Sequence, residues 1–297
     1  MITLQSERLR VEIAEPLEAP NRTFRFDRAG FITEIVLDGA VHFCANEPQN
    51  LSHPSSGGRG MCNEFTADFS RNVQPGEYFP KLGVGLIRRD EEPYVFHKKY
   101  SDVQEYPVEY TVSENQVEFR TKALACNQVA VSFVKKITLS DNSVVMEVSA
   151  VNEGEAAVDT LEYCHNFFSI DGMAISPDYE IELPDLPDMG EEQKLSIHGE
   201  PCNWKGNGKG LTFLRCTTDC AHVRVPLEGI CSGDSFHWTL RHRGAKAWVE
   251  VTEYFRPEKM DIWSVDHMVS PEVFYHLSLQ PGEAKTWKRQ WVFGKDY

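Results

Sequence analysis

Apolar and polar residues alternate with period two along most of this chain, and no other feature constrains its fold as strongly. Successive side chains on a β-strand point to opposite faces, so this period marks strands with one face buried. The alternation runs through residues 23–27, 108–112, 116–120 and 130–139. Asp141-Asn142 reads as a turn, after which 144–148 resumes the pattern. The last third repeats it at 247–252, 273–277 and 286–293. No long stretch places apolar residues at helical spacing, and 20 Gly and 16 Pro punctuate the chain throughout. The expectation is an all-β chain of many short strands, a sandwich or barrel rather than βαβ units.

At ~150 residues per domain, 297 residues would make two domains, but large all-β folds often run this long as one unit. Neither an internal repeat nor a compositional break marks a linker, so one domain over 1–297 is expected. Two segments read as long loops: Ser/Pro/Gly-rich 48–60, and 178–208 with Pro184, Pro187 and several acids. Loops of this length in a compact domain are usually functional or disordered.

A net charge of -15 repels a phosphate backbone, which argues against a nucleic-acid partner. No run approaches the ~20 apolar residues of a membrane span. Residues 1–15 are charged and alternating, unlike a signal peptide, so a cytoplasmic location is expected. The eight cysteines form no paired CxxC units, which disfavours a structural zinc site and predicts reduced, mostly buried thiols. The ten histidines show no metal-site spacing, and no GxSxG elbow is present.

Three segments carry candidate chemistry. In Leu161-Glu162-Tyr163-Cys164-His165-Asn166-Phe167-Phe168, period two puts Tyr163, His165 and Phe167 on one face and Cys164, Asn166 and Phe168 on the other. His165 is either a core histidine satisfied by a carbonyl or a titratable group in an aromatic-walled cleft. Asp266 and Glu272, near Pro271 and several aromatics before a strand, are candidate bases, although most such acids are surface residues. In Gly57-Gly58-Arg59-Gly60, an Arg among glycines suits recognition of a polar ligand, and equally a mobile loop. His97 lies between aromatics on an expected strand and is a candidate ligand contact.

In combination these segments resemble the aldose 1-epimerase (galactose mutarotase)-like superfamily from about residue 20 to the end. Gly58-Arg59 resembles the Gly-Arg that precedes its sugar-contacting residues. Phe79-Pro80-Lys81-Leu82-Gly83-Val84-Gly85 is similar to a segment of an uncharacterised bacterial branch. His165-Asn166-Phe167-Phe168, then Gly172, then Asp178-Tyr179-Glu180-Ile181, is similar to the central stretch around the catalytic His. The C-terminal order of strand, acid, Pro, Pro-Gly-Glu and aromatic strand is similar as well. Two departures stand out: Arg59 is followed by Gly-Met-Cys-Asn-Glu-Phe, and Pro271 precedes Glu272 rather than following it.

The resemblance implies a β-supersandwich and interconversion of the anomers of an aldose or modified sugar, with no cofactor and no metal. It makes His165 the general acid and Glu272 the base, with Asp266 as fallback, placed on opposite sides of the sugar ring. Arg59, Glu64, Lys81, His97, Asn166 and Asp178 become candidate sugar contacts. A sugar is the expected partner, on a monomer or homodimer. Two alternatives remain at this point: a carbohydrate-binding or sensing protein without turnover, and a metal-assisted sugar isomerase or lyase using cross-strand His and Glu.

Overall fold

A computed structural model describes residues 1–18, 24–47, 56–183, 186, 196–199, 204–206, 209–218, 220–228, 230–231 and 233–296. The first large sheet runs, in spatial order, β1 (Ile2–Gln5), β2 (Leu9–Ile13), β3 (Ile32–Leu37), β5 (Met61–Phe65), β13 (Val158–Asn166), β22 (Met268–Leu279), β21 (Lys259–Val265), β18 (Ala221–Val225) and β15 (Ser196–Gly199), with β4 (Val41–His42) paired to β3. The second runs β16 (Trp204–Gly206), β17 (Gly210–Phe213), β14 (Tyr179–Glu182), β19 (Phe236–His242), β20 (Ala247–Glu253), β23 (Ala284–Lys295), β12 (Ser143–Asn152), β11 (Val131–Ser140), β10 (Gln116–Thr121) and β9 (Val108–Val112). A small third sheet holds β6 (Tyr78–Lys81), β7 (Gly85–Arg88) and β8 (Val103–Glu105). The strand pairings are antiparallel, as in the β10–β11, β12–β23 and β13–β22 ladders. The all-β expectation holds.

The two large sheets bury one continuous apolar core. Val131, Phe133, Ile137 and Leu139 of β11 turn into it, while the alternate residues are half-buried. The same alternation carries Lys135 inward, where an unpaired cation would cost several kcal/mol. Its Nζ donates instead to Asp27 (2.6 Å), the Ala29 carbonyl (2.7 Å) and Asn63 (2.9 Å). Asn63 in turn donates to Glu162, which also accepts from Trp287 (2.9 Å) and pairs with Arg289 (2.8 Å). Arg289 contacts Glu253 at 2.9 Å. This buried polar chain ties β5 and β13 to the opposite sheet, and their alternate residues face outward.

Three expectations fail. Residues 24–27 bend rather than extend, because the Asp27 N–H bonds the Asn63 carbonyl and the Arg28 N–H bonds the Gly83 carbonyl, outside any ladder. His97 lies in a turn, not on a strand. The 178–208 segment is no continuous loop, since it contains β14, β15 and β16, which pair with the later strands β17, β18 and β19. Residues 184–185, 187–195, 200–203 and 207–208 of that segment, and 48–55 of the other loop, lie outside the described residues. The seven described cysteines are free, but only Cys62 and Cys164 are fully buried and Cys216 is exposed; Cys202 is outside the described residues. Among the described residues no helix is long and apolar enough to cross a membrane.

Candidate functional site

The outer face of the first sheet gathers the candidate chemistry, and strand register explains how. Tyr163 opposes Glu64 across β5–β13 and Phe274 across β13–β22. Continuing that second register, as the Phe168–Val269 bridge does, sets His165 opposite Glu272. Glu272 in turn opposes Asp261, and Asp261 opposes Arg224. One rung therefore reads Cys62, His165, Glu272, Asp261, Arg224 across five strands. The neighbouring rung on one side holds Glu64, Tyr163, Phe274 and Lys259, and the Ser270–Trp263–His222 rung lies on the other.

His165 Nε2 lies 3.0 Å from Glu272 Oε1, and both side chains are more than nine-tenths buried. Ser270 Oγ lies 2.7 Å from His165 Nδ1 and 3.3 Å from Glu272 Oε1. Phe167 stacks on the imidazole at 3.8 Å, while Phe26 and Trp263 meet it edge-on at 6.0 and 5.7 Å. These rings exclude water, and burial disfavours charge on either partner. Burial, helped by the Arg25 charge and His222, holds the His165 imidazole well below its usual value. Burial also pushes the Glu272 carboxyl up to about 8, with Asp261 and Glu64 adding to it against Arg25 and Ser270. The distance alone would allow an ion pair, but both shifts favour the neutral forms: at neutral pH this is an imidazole beside a carboxylic acid.

Beside the pair sits a second, charged cluster. Arg25 Nε donates to Glu64 (2.6 Å), and its other nitrogens donate to Ser56 Oγ and the Tyr163 hydroxyl (3.1 Å each). Its guanidinium lies between the Phe26 and Phe96 rings, at 4.7 and 4.4 Å. Tyr163 donates to Glu64, and buried Lys81 reaches Glu64 at 3.4 Å and donates to the Phe65 carbonyl. Burial pushes the Glu64 carboxyl up, but Arg25, Lys81 and Tyr163 outweigh it and hold it below the usual range. Burial lowers Lys81 against the pull of Glu64. Glu64 therefore stays ionised where Glu272 is neutral, a division of labour characteristic of acid–base sites.

Two glycines let the nearby loop approach. A side chain on Gly58 would fall on the Phe167 ring, and one on Gly60, where φ is +56°, would meet the β3 backbone. Glu47 orders this turn by accepting from the Ser56 N–H, the Ser56 hydroxyl and the Gly58 N–H.

Of the residues picked from sequence, the structure brings His165, Glu272, Glu64 and Lys81 together. Asp266 is not joined to this pair: it sits in the β21–β22 turn, its side chain two-thirds exposed, 2.6 Å from His267. Asn166 points to the core face, where it donates to the Pro271 and Cys164 carbonyls and so pins strands rather than meeting a ligand. Asp178 is exposed beside Arg243 at 3.7 Å. Arg59 is half-buried in a backbone bridge with Asn46, and among the described residues no hydrogen bond or ion pair joins its side chain to His165 or Glu272. His97 lies against Phe96, one residue away from the ring that covers Arg25. Sequence reasoning missed Arg25 and Ser270. Arg25 lay hidden in an expected strand, although an Arg flanked by two Phe residues is a recognisable stacking signal. Ser270 is two residues from Glu272 and so shares its face, as period two dictates. Among the described residues no group of three or more His, Cys, Asp or Glu side chains is gathered to hold a metal ion.

The sequence matches no protein-family model and no curated protein significantly. Several solved structures match it over nearly their full length. A galactose mutarotase-like protein from Lactobacillus casei superposes with a TM-score of 0.62 at 14% identity, covering 99% of this chain and 100% of that one. A galactose mutarotase related enzyme from Lactobacillus acidophilus gives 0.59 at 13% identity, covering 99% and 97%. An aldose epimerase homologue from C. elegans gives 0.52 at 9% identity, covering 100% and 99%. Two large antiparallel sheets in this arrangement define a galactose mutarotase-like β-sandwich. This chain has that fold.

Proposed function

We propose that this protein interconverts the α and β anomers of an aldose or modified sugar, with His165 and Glu272 moving the protons. The observation that carries this reading is an imidazole nitrogen 3.0 Å from a carboxyl oxygen, both buried among aromatic rings, where burial favours the neutral form of each. Ring opening needs a base to take the proton from the anomeric hydroxyl and an acid to give one to the ring oxygen. The ring C–O bond then breaks as the carbonyl forms, and rotation followed by the reverse steps yields the other anomer. The two oxygens share one carbon, so an adjacent donor and acceptor serve them from one side of the sugar. This differs from the opposite-sided arrangement expected from the resemblance. The protonation states also exchange the roles, making Glu272 the donor and His165 the acceptor in the free protein. Arg25, Glu64 and Lys81 supply fixed polar partners for sugar hydroxyls, and Trp263 and Phe26 supply apolar walls.

The test is anomeric exchange by NMR on a panel of aldoses. Wild type accelerates exchange, and His165→Ala and Glu272→Gln each lower kcat/KM by about 10²- to 10⁴-fold. Sugar binding without acceleration on any aldose would overturn the catalytic reading and leave a carbohydrate-binding protein.

A further inference from the structure

We propose that Ser270 is a positioning residue that holds His165 as the Nδ1–H tautomer, leaving the Nε2 lone pair to face Glu272. The inference deepens the proposed acid–base reading and rests on it for its catalytic consequence, though not for its geometry. A serine hydroxyl has one proton to donate and two lone pairs to accept with. The Asn166 backbone N–H takes one lone pair of Ser270 Oγ at 3.0 Å. Ser270 is fully buried, so no solvent competes for the rest of its capacity. Its remaining neighbours are His165 Nδ1 at 2.7 Å and Glu272 Oε1 at 3.3 Å. One arrangement uses every one of these contacts: Nδ1–H donates to Oγ, and the Oγ proton goes to Glu272. The reverse arrangement, with Oγ donating to Nδ1 and Nε2–H donating to Glu272, leaves a Ser270 lone pair and the Ser270–Glu272 contact unused, and the ring could no longer accept a proton from substrate.

The backbone makes this preference rigid. Ser270 and Glu272 are alternate residues of β22, so one strand carries both to the same face as His165. Asn166, the residue after His165, grips β22 twice, through its N–H to Ser270 and its side chain to the Pro271 carbonyl. The relative height of His165 and Ser270 is thus fixed by the ladder and not by free rotamers. A buried imidazole whose second nitrogen is committed to a fixed partner has its tautomer decided by that partner.

The experiment uses full-length protein labelled with ¹⁵N at histidine. Long-range ¹H–¹⁵N correlation assigns the tautomer of His165, with His165→Gln identifying its signals. Expected is a pyridine-like Nε2 and a pyrrole-like Nδ1 in wild type, mixed tautomers in Ser270→Ala, and the wild-type pattern restored in Ser270→Thr. An Nε2–H tautomer in wild type overturns the proposal whatever the variants do, as does an unchanged tautomer in a folded Ser270→Ala. If anomeric exchange is observed, Ser270→Ala should lower kcat at least about tenfold with little change in KM, because a wrong tautomer impairs proton transfer and not binding. Absence of exchange on every sugar would sink the function reading, while the tautomer measurement would still decide the role of Ser270.

Discussion

Glu272→Gln should change the pH dependence of stability, and the sign and size follow from burial. The ordinary Glu value is 4.5, and the buried Glu272 carboxyl titrates at about 8. The folded protein therefore holds this proton more tightly than the unfolded chain does. The stabilisation is fully present below about pH 4.5 and is lost as pH rises through about 8. Each pH unit in that window contributes at most about 1.4 kcal/mol, so the whole interval amounts to at most about 5 kcal/mol. Glutamine keeps the shape and neutrality of the protonated acid and does not titrate. Urea unfolding of wild type and Glu272→Gln at steps between about pH 5 and about pH 9 reads the difference directly. The variant should gain on wild type as pH rises, by about 2 kcal/mol or more across the series. Parallel curves would refute the reasoning, because they would mean that Glu272 is already ionised and that the His165–Glu272 contact is an ordinary ion pair. The opposite limb belongs to His165. Its depressed value makes its contribution present above about 6.5 and lost as pH falls, so His165→Gln should flatten the acid side.

Arg289→Met removes the cation that Glu162 and Glu253 share in the core, and the two stranded carboxyls should cost about 3–5 kcal/mol in urea unfolding; a loss under about 1 kcal/mol would show the network to be dispensable. Gly58→Ala drives a methyl into the ring stacked on His165, so stability should fall by about 1–3 kcal/mol and the near-ultraviolet aromatic signal should change, whereas an unperturbed spectrum would mean that the loop gives way freely. Asp266→Asn should leave anomeric exchange within about twofold of wild type, since among the described residues the side chain of this exposed turn residue pairs only with its neighbour His267, and a large loss would make it a base again.

What sequence determined by itself is whatever depends on period. Alternation identified strands at 108–112, 130–139, 247–252 and 286–293, each within a residue or two of an observed strand, and it put Tyr163, His165 and Phe167 on one face, as the ring contacts bear out. The same local rule failed at 24–27, where alternation was real but tertiary hydrogen bonds to Asn63 and Gly83 overrode it. Period cannot say which strands become neighbours. Residues 62, 165, 272, 261 and 224 form one rung only because β5, β13, β22, β21 and β18 pair in that order, with connections of very different length. Nor can period separate Asp266 from Glu272: both are acids six residues apart, and only the β21–β22 turn makes one solvent-exposed while the ladder buries the other. Protonation was undecided for the same reason. A carboxyl moves to about 8 when the 24–27 bend, β21 and the residue after β13 bring Phe26, Trp263 and Phe167 around its partner and strip away water, and that enclosure exists only in the assembled fold.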